Sequence, residues 1–416
     1  MKSFFYIAAG LILFQLISAC NMTETRYQAL PVDITVVNKN GKITVSGASV
    51  FQLRDSFVWC GSPIRIKDQY FLFYLAWESG PDIPSFADSW MLYSKIGCAV
   101  SDFPDRNFHP LKIFLKGRKD QGDSTAFDAQ GVHNPLIKTF NGKFYLYYGA
   151  SKDPGSLPSG TEGAKLSKQV RTRLNQKIGV IEFNSIEDLL AGRFKRFDQP
   201  LLSPRTRVIN IEVMNPSPPG TIAKPDNLIV VNPAVVYRPS DGKYLLYFKG
   251  NIYDPEWRGV LGVAISDSPT GPFAATDNFV FDFKDKTGEK VSAEDPFVWY
   301  HRKDKLFYAV MKDFTGKLTG SEPGLAMMQS VDGIKWNPAA TPLFMKKELI
   351  LKDGTLLKVA RLERPQLLLD ENDDPIVLFA ACSIDDCNPK KDGGTFNVQI
   401  PLKKINIAIK KNDLTK

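Results

Sequence analysis

This sequence predicts an all-β chain folded as a five-bladed β-propeller, on three observations. First, one pattern recurs five times: a polar residue, Pro, an apolar strand, a turn, then a strongly aromatic strand. Its prolines fall at 63, 135, 233, 296 and 365, a period of about 75 residues, and such self-similarity marks a repeat architecture. Second, helical periodicity is almost absent, and 186–192 is the one short helical candidate. Third, 28 Phe, 14 Tyr, 6 Trp, 30 Gly and 28 Pro suit short aromatic strands joined by turns. A three- or four-stranded meander cannot bury both faces alone, whereas five set radially can.

Taken in order, Met1-Lys2 and the apolar run 4–17 read as an export leader, about 14 apolar residues being too few to span a bilayer. Ser18-Ala19-Cys20 resembles a bacterial lipoprotein box. Residues 1–19 are then removed, and an acylated Cys20 tethers the mature protein outside the cytoplasm, in the periplasm or at the outer membrane. Residues 20–45 form a tether and lead-in strand and 46–416 the propeller, with 33–57 expected to supply the outer strand that closes the last blade. The copies read SPIRIKDQYFLFYLAW from Ser62, NPLIKTFNGKFYLYYGAS from Asn134, NPAVVYRPSDGKYLLYFKG from Asn232, DPFVWYHRKDKLFYAVMKD from Asp295 and RPQLLLDENDDPIVLFAAC from Arg364. The first four continue into a third apolar strand. Asn141-Gly142, Asp241-Gly242 and Asp332-Gly333 are hairpin signals, since glycine takes the positive φ of tight β-turns.

Composition narrows the partners. With 43% hydrophobic and 24% charged residues the chain is globular rather than disordered or collagen-like. Its net charge of +8 is spread along the chain without a basic arm, which excludes nucleic acid as the expected partner and favours an anionic glycan. No Gly-rich phosphate loop or metal-ligand spacing is present, so no cofactor is expected, although axial oxygens leave room for a structural Ca²⁺. Cys60, Cys98, Cys382 and Cys387 show no zinc spacing. Cys382 and Cys387 are close enough to staple a loop, and free thiols are the equal alternative. A monomer is expected, attached to a membrane through Cys20 alone.

With the proline motifs aligned, the chain resembles the five-bladed β-propeller glycoside hydrolases, the arabinanase and xylosidase type of glycoside hydrolase family 43 and its relatives. The resemblance implies innermost strands that begin with acidic-Pro motifs, their carboxylates pointing into a funnel on the axis. Here the motifs are Ser62-Pro63, Asn134-Pro135, Asn232-Pro233, Asp295-Pro296 and Arg364-Pro365. Asp295 sits at the family's Asp-Pro offset. Glu363, two residues before Pro365, sits at its Glu-Ala-Pro offset, which Glu294 shares. Ser62 stands where the family places its general-base aspartate. Either the base comes from elsewhere or the reaction is not hydrolysis.

Asp295 and Glu363 are the expected acid–base pair, because glycoside hydrolysis needs one carboxylic acid and one carboxylate and crowding raises one pKa. His133, directly before Asn134, is the third catalytic candidate. Strand ends returning to the mouth bring Glu78, Asp153, Lys249, Lys312, Asp313 and Ser383, and preceding loops add Asp128. Asn134, Asn232 and Glu294 complete the expected substrate contacts. Lys249, Lys312, Arg364 and Arg65 form a cationic lining suited to a uronate or sulfate. Trp59, Trp77 and Trp90 offer a sugar platform, with blade packing as the alternative. His109 and His301 are read as solvated. Loops from Glu78 and from 152–176 narrow the funnel and favour exo action. The expected function is an exo-acting glycoside hydrolase; a uronate lyase or dehydratase and a non-catalytic glycan-binding propeller stand beside it.

Overall fold

The computed structural model describes residues 23–408, save 41, 79–84, 157–158, 161, 206–221, 254–256, 286 and 386–393. The expected leader, Cys20 and Cys387 lie outside these residues. The described chain is a five-bladed β-propeller, each blade an antiparallel sheet whose first strand is innermost. Blade one comprises Ser56–Ile66, Gln69–Glu78, Lys95–Ser101 and His109–Leu115. Blade two comprises Gly131–Phe140, Lys143–Ser151, Gln176–Phe183 and Lys195–Arg196, and blade three Val230–Arg238, Lys243–Tyr253, Trp257–Ser266 and Ala274–Ala275. Blade four is Ala293–His301, Leu306–Asp313, Gly324–Ser330 and Asn337–Lys346. In blade five, Arg361–Leu369, Pro375–Ser383 and Phe396–Ala408 are joined by Thr23–Ala29. The five inner strands touch in a closed cycle around the axis.

Ring closure differs from the expectation. The outer strand is Thr23–Ala29, paired from Thr23↔Ala408 to Ala29↔Leu402, while the 33–57 stretch contributes only Val50–Phe51 to that sheet. Part of 33–57 instead forms its own hairpin, Thr35–Lys39 with Lys42–Ser46. The two ends of the described chain therefore share one blade, and the ring is locked by its least local contact.

Burial explains why the second strands read as unbroken apolar runs rather than alternating ones. Seven consecutive residues are buried in both Gln69–Glu78 and Lys143–Ser151, because each blade is covered on both faces by its neighbours. Buried tyrosines spend their hydroxyls between blades. Tyr147 donates to Pro269 O at 2.8 Å and Tyr247 to Gly333 O at 2.5 Å, in each case a turn of the next blade. Among the described residues three short α-helices decorate the sheets: α1 (Phe86–Tyr93), α2 (Lys168–Arg173) and α3 (Ile186–Leu190). Only α3 was legible. α1 and α2 lie in the two insertions read as loops, too short for periodicity to register.

Candidate active site

Four inner strands share a bulge at the proline motif. Pairing jumps from His133↔Gly149 to Leu136↔Tyr147, from Val231↔Lys249 to Ala234↔Tyr247, from Glu294↔Lys312 to Phe297↔Val310, and from Glu363↔Ala381 to Gln366↔Phe379. At each bulge the residue before Pro is left-handed, with φ of 56° at Asn134, 58° at Asn232, 58° at Asp295 and 57° at Arg364. Asn and Asp tolerate that region best, and Arg364 occupies it at a cost. Proline removes a donor that the bulge leaves without a ladder partner. Blade one corrects the sequence alignment. Its jump, from Val58↔Ala76 to Gly61↔Tyr74, falls at Trp59-Cys60, so Ser62 lies beyond the axial position. Ser62 is buried, bonding Gln366 and the Ile137 amide. The counterpart of Asn134-Pro135 is Trp59-Cys60.

These bulges build a side-chain ring around the axis. Cys60 Sγ donates to Asn134 Oδ1 at 3.5 Å, Asn134 Nδ2 to Asn232 Oδ1 at 2.7 Å, and Asn232 Nδ2 to Asp295 Oδ1 at 2.8 Å. Arg364 Nη1 meets the same oxygen at 3.2 Å. Burial pushes the Asp295 carboxyl up to about 6, with Arg364 pulling down against it and Glu294 adding to it. The ring does not fit a calcium ion: Arg364 already sets a cation against Asp295, and neighbouring donors take the carboxamide oxygens. Among the described residues no cluster of three His, Cys, Asp or Glu could hold a metal.

One residue before the ring, lysines cross between blades. Lys249 of blade three pairs with Glu294 of blade four, and Lys312 of blade four with Glu363 of blade five. Burial alone would raise the Glu294 carboxyl, but Lys249, Arg364 and Lys312 outweigh it and hold it below the usual range. Glu294, Lys249, Asn232 and Arg364 line a cavity of about 1020 Å³, walled on its other sides by Trp90, α2 and Ile229 and Val231. Asn232 and Arg364 also line the narrow axial channel beneath, where Asp295 lies. The cavity thus has an ionised carboxylate on its wall and a protonatable one under its floor.

Other expected site residues serve the fold. His133 faces the axis but is fully buried, its ring edge-on to Trp90 at 4.9 Å. Its Nδ1 accepts from Asn134 Nδ2 at 2.9 Å, and burial pushes the imidazole down to about 3, so it stays neutral. Asp128 is buried between Arg118, Arg196 and the Tyr148 hydroxyl. Asp313 is buried too, and its two oxygens accept the amides of Thr315, Gly316, Leu318 and Thr319 to shape a loop. Trp59 and Trp77 pack against Phe86, and Trp77 donates to Ser89. Trp90 is the tryptophan at the cavity. Glu78 pairs with Lys95, and Ser383 is fully buried. Arg65 is exposed and bonds Lys67 O, away from the cationic lining. His301, read as solvated, is buried between Asp304 and Asp374. Cys60, Cys98 and Cys382 are free and buried.

Sequence reasoning missed Lys165, Arg173, Gln176, Ile229, Val231 and Asn251, all of which line the cavity. A signal for Asn251 existed: it sits two residues after Lys249 on one strand, hence on the same face. The α2 residues carried none, because an insertion's path over the mouth is tertiary information. Asp153 of that insertion is held by Arg171 of α2 at 3.0 and 3.2 Å, which fixes the wall in place.

No family model matches the chain, and no curated protein matches it in sequence. Solved structures do. A family 117 glycoside hydrolase produced by the marine bacterium Zobellia galactanivorans is 15% identical with a TM-score of 0.53, over 92% of this chain and 90% of its own. A thermostable family-43 glycoside hydrolase is 11% identical at TM-score 0.52, over 85% and 93%. An alpha-L-arabinofuranosidase from Lactobacillus brevis is 12% identical at 0.51, over 83% and 91%. At such identities the likeness is one of fold.

Proposed function

We propose that the protein hydrolyses the terminal glycosidic bond of an oligosaccharide seated in the axial cavity. The observation that carries this reading is the pair of adjacent carboxyls with opposite proton affinities. Glu294 on the cavity wall stays ionised and acts as the base that activates water and offsets oxocarbenium charge. Asp295, one residue on beneath the floor, keeps its proton to about pH 6 and passes it to the leaving oxygen where channel and cavity meet, between Asn232 and Arg364. This moves the catalytic pair from Asp295 and Glu363 to Asp295 and Glu294. Lys249 and Arg364 inside the cavity, with exposed Lys165 and Arg173 at its edge, suit an anionic sugar. The wall formed by α2 suits a chain end rather than a chain passing through. Structural neighbours that are glycoside hydrolases support the class. In this reading the enzyme works as a monomer tethered outside the cytoplasm through Cys20.

Elimination at a uronate is the second reading, favoured by the same cationic lining; it loses His133 as its base. Incubation with acidic oligosaccharides separates the two. New reducing ends without ultraviolet absorbance are expected, and Asp295→Asn should lower turnover by about 10²–10⁴-fold while the fold persists. Absorbance from an unsaturated uronate, or a loss under about ten-fold in Asp295→Asn, overturns the assignment.

A further inference from the structure

The cavity has a second chemistry away from its charged end. Leu166, Val170 and Leu174, from α2 and the turns flanking it, line it together with Ile229 and Val231 of blade three. Leu166, Ile229 and Val231 are buried at 7%, 6% and 4% exposure, so this wall is preformed. Among the described residues of this lining, two buried side-chain oxygens, Gln176 Oε1 and Asn251 Oδ1, have no hydrogen-bond partner. Gln176 is 3% exposed, and its amide nitrogen is fixed on Arg173 O at 2.8 Å, which leaves the oxygen free.

A hydroxymethyl group set against this aliphatic wall would lose its water and find no partner, whereas a methyl group would gain contact. We infer that the cavity selects a terminal sugar bearing a methyl substituent, a deoxy sugar or a methyl ether, with two ring hydroxyls donating to Gln176 and Asn251. The methyl lies among Val170, Val231 and Ile229, and the anomeric carbon faces Glu294. The inference names the substrate class of the site proposed above and rests on that reading for the sugar's orientation.

The test uses titration calorimetry on the full mature chain, which reads binding independently of turnover. Probes are methyl glycosides in matched sets: rhamnose against mannose, fucose against galactose, and the 6-O-methyl ethers of the two parents. At least one methyl-bearing member should bind about ten-fold or more tightly than its hydroxylated parent, the scale set by one apolar carbon in a pocket. Preference for the deoxy sugars alone assigns the methyl to the ring carbon; preference for the ethers alone assigns it to oxygen. Val170→Thr and Val231→Thr, each isosteric and checked by thermal melting, should narrow the preference several-fold. Equal or tighter binding of the parents, no binding across the sets, or a preference untouched by both variants overturns the inference. A methyl preference without bond cleavage would retain it and remove hydrolysis alone.

Discussion

At the last paired position before the bulge, blades four and five present Glu294 and Glu363, reached by Lys249 and Lys312 from the preceding blades. Blades one and two present Val58 and His133 at that position, opposite Ala76 and Gly149. A bulge follows in all four blades, but the chemistry is opposite. On the charged side each lysine spans an interblade gap to a glutamate, and Lys249 leads the cations that hold Glu294 below the usual carboxylate range. On the other side there is no room for such a reach. A Cβ on Gly149 would stand 2.3 Å from His133 Cε1, so the imidazole fills the space a lysine stem would need. The difference shows how a five-fold repeat becomes a one-sided site: the repeat supplies equivalent positions, and one arc alone carries charge.

The largest effect should come from contrasting the two glutamates. Glu294→Gln should lower kcat by about 10²–10⁴-fold with KM little changed, if Glu294 is the base of the proposed hydrolysis. Glu363→Gln, which changes the neighbouring Lys312 pair, should cost less than about ten-fold. Equal losses in steady-state kinetics would abolish the distinction and restore Glu363 as a partner in catalysis.

Arg364 ties the two arcs together through Asp295. Arg364→Met leaves a buried carboxylate without its cation, a change that costs about 3–5 kcal/mol when one partner of a buried pair is removed. The sign with pH follows. The Asp295 carboxyl is already raised to about 6, and losing Arg364 raises it further. A variant Asp295 therefore remains neutral at low pH, and the destabilisation should grow as pH rises through 6. Denaturant unfolding at pH 5 and pH 8 measures it; a constant deficit would contradict the pairing.

The apolar arc yields two smaller effects. Gly149→Ala pushes the His133 ring against Trp90 and should cost about 1–3 kcal/mol, as overpacking does. His133 itself is depressed to about 3 against an ordinary 6.5, so the unfolded chain binds its proton first. Its contribution to stability is full above pH 6.5 and is lost as pH falls from there toward 3. Relative to wild type, His133→Leu should flatten the stability profile across that window.

Much of this fold was legible because a repeat writes itself into sequence. Pro135, Pro233, Pro296 and Pro365 marked four bulges correctly, each locked to a left-handed residue. Pro63 misled because in blade one the bulge carries Trp59-Cys60 instead, and Pro63 falls further along the same strand. Side chains that depend on an insertion's path stayed hidden: Trp90 was one of three equivalent tryptophans until α1 placed it at the cavity and Trp77 in the core. Asp128 and Asp313 were misread for a related reason. A buried carboxylate answering arginines or loop amides has the same letter as one answering a sugar, and only the partners separate them.

The smallest effect should come from the wall itself. Asp153 is a carboxylate that burial would raise but that Arg171 and local amides hold below its usual range. Its pair with Arg171 is mostly buried, with side-chain exposures of 17% and 14%, yet it anchors an insertion rather than the ring. Asp153→Asn should therefore leave global melting nearly unchanged, because blade contacts do not depend on it. It should instead loosen α2, whose N-cap Ser167 accepts from Val170 N at 3.3 Å and is too weak to hold six residues alone. KM should rise several-fold while kcat holds, since the carboxyls sit on inner strands that the change does not reach. A fall in kcat at constant KM would mean that α2 shapes the reacting end as well as the binding end, and the division of the cavity into a charged floor and an apolar wall would have to be redrawn.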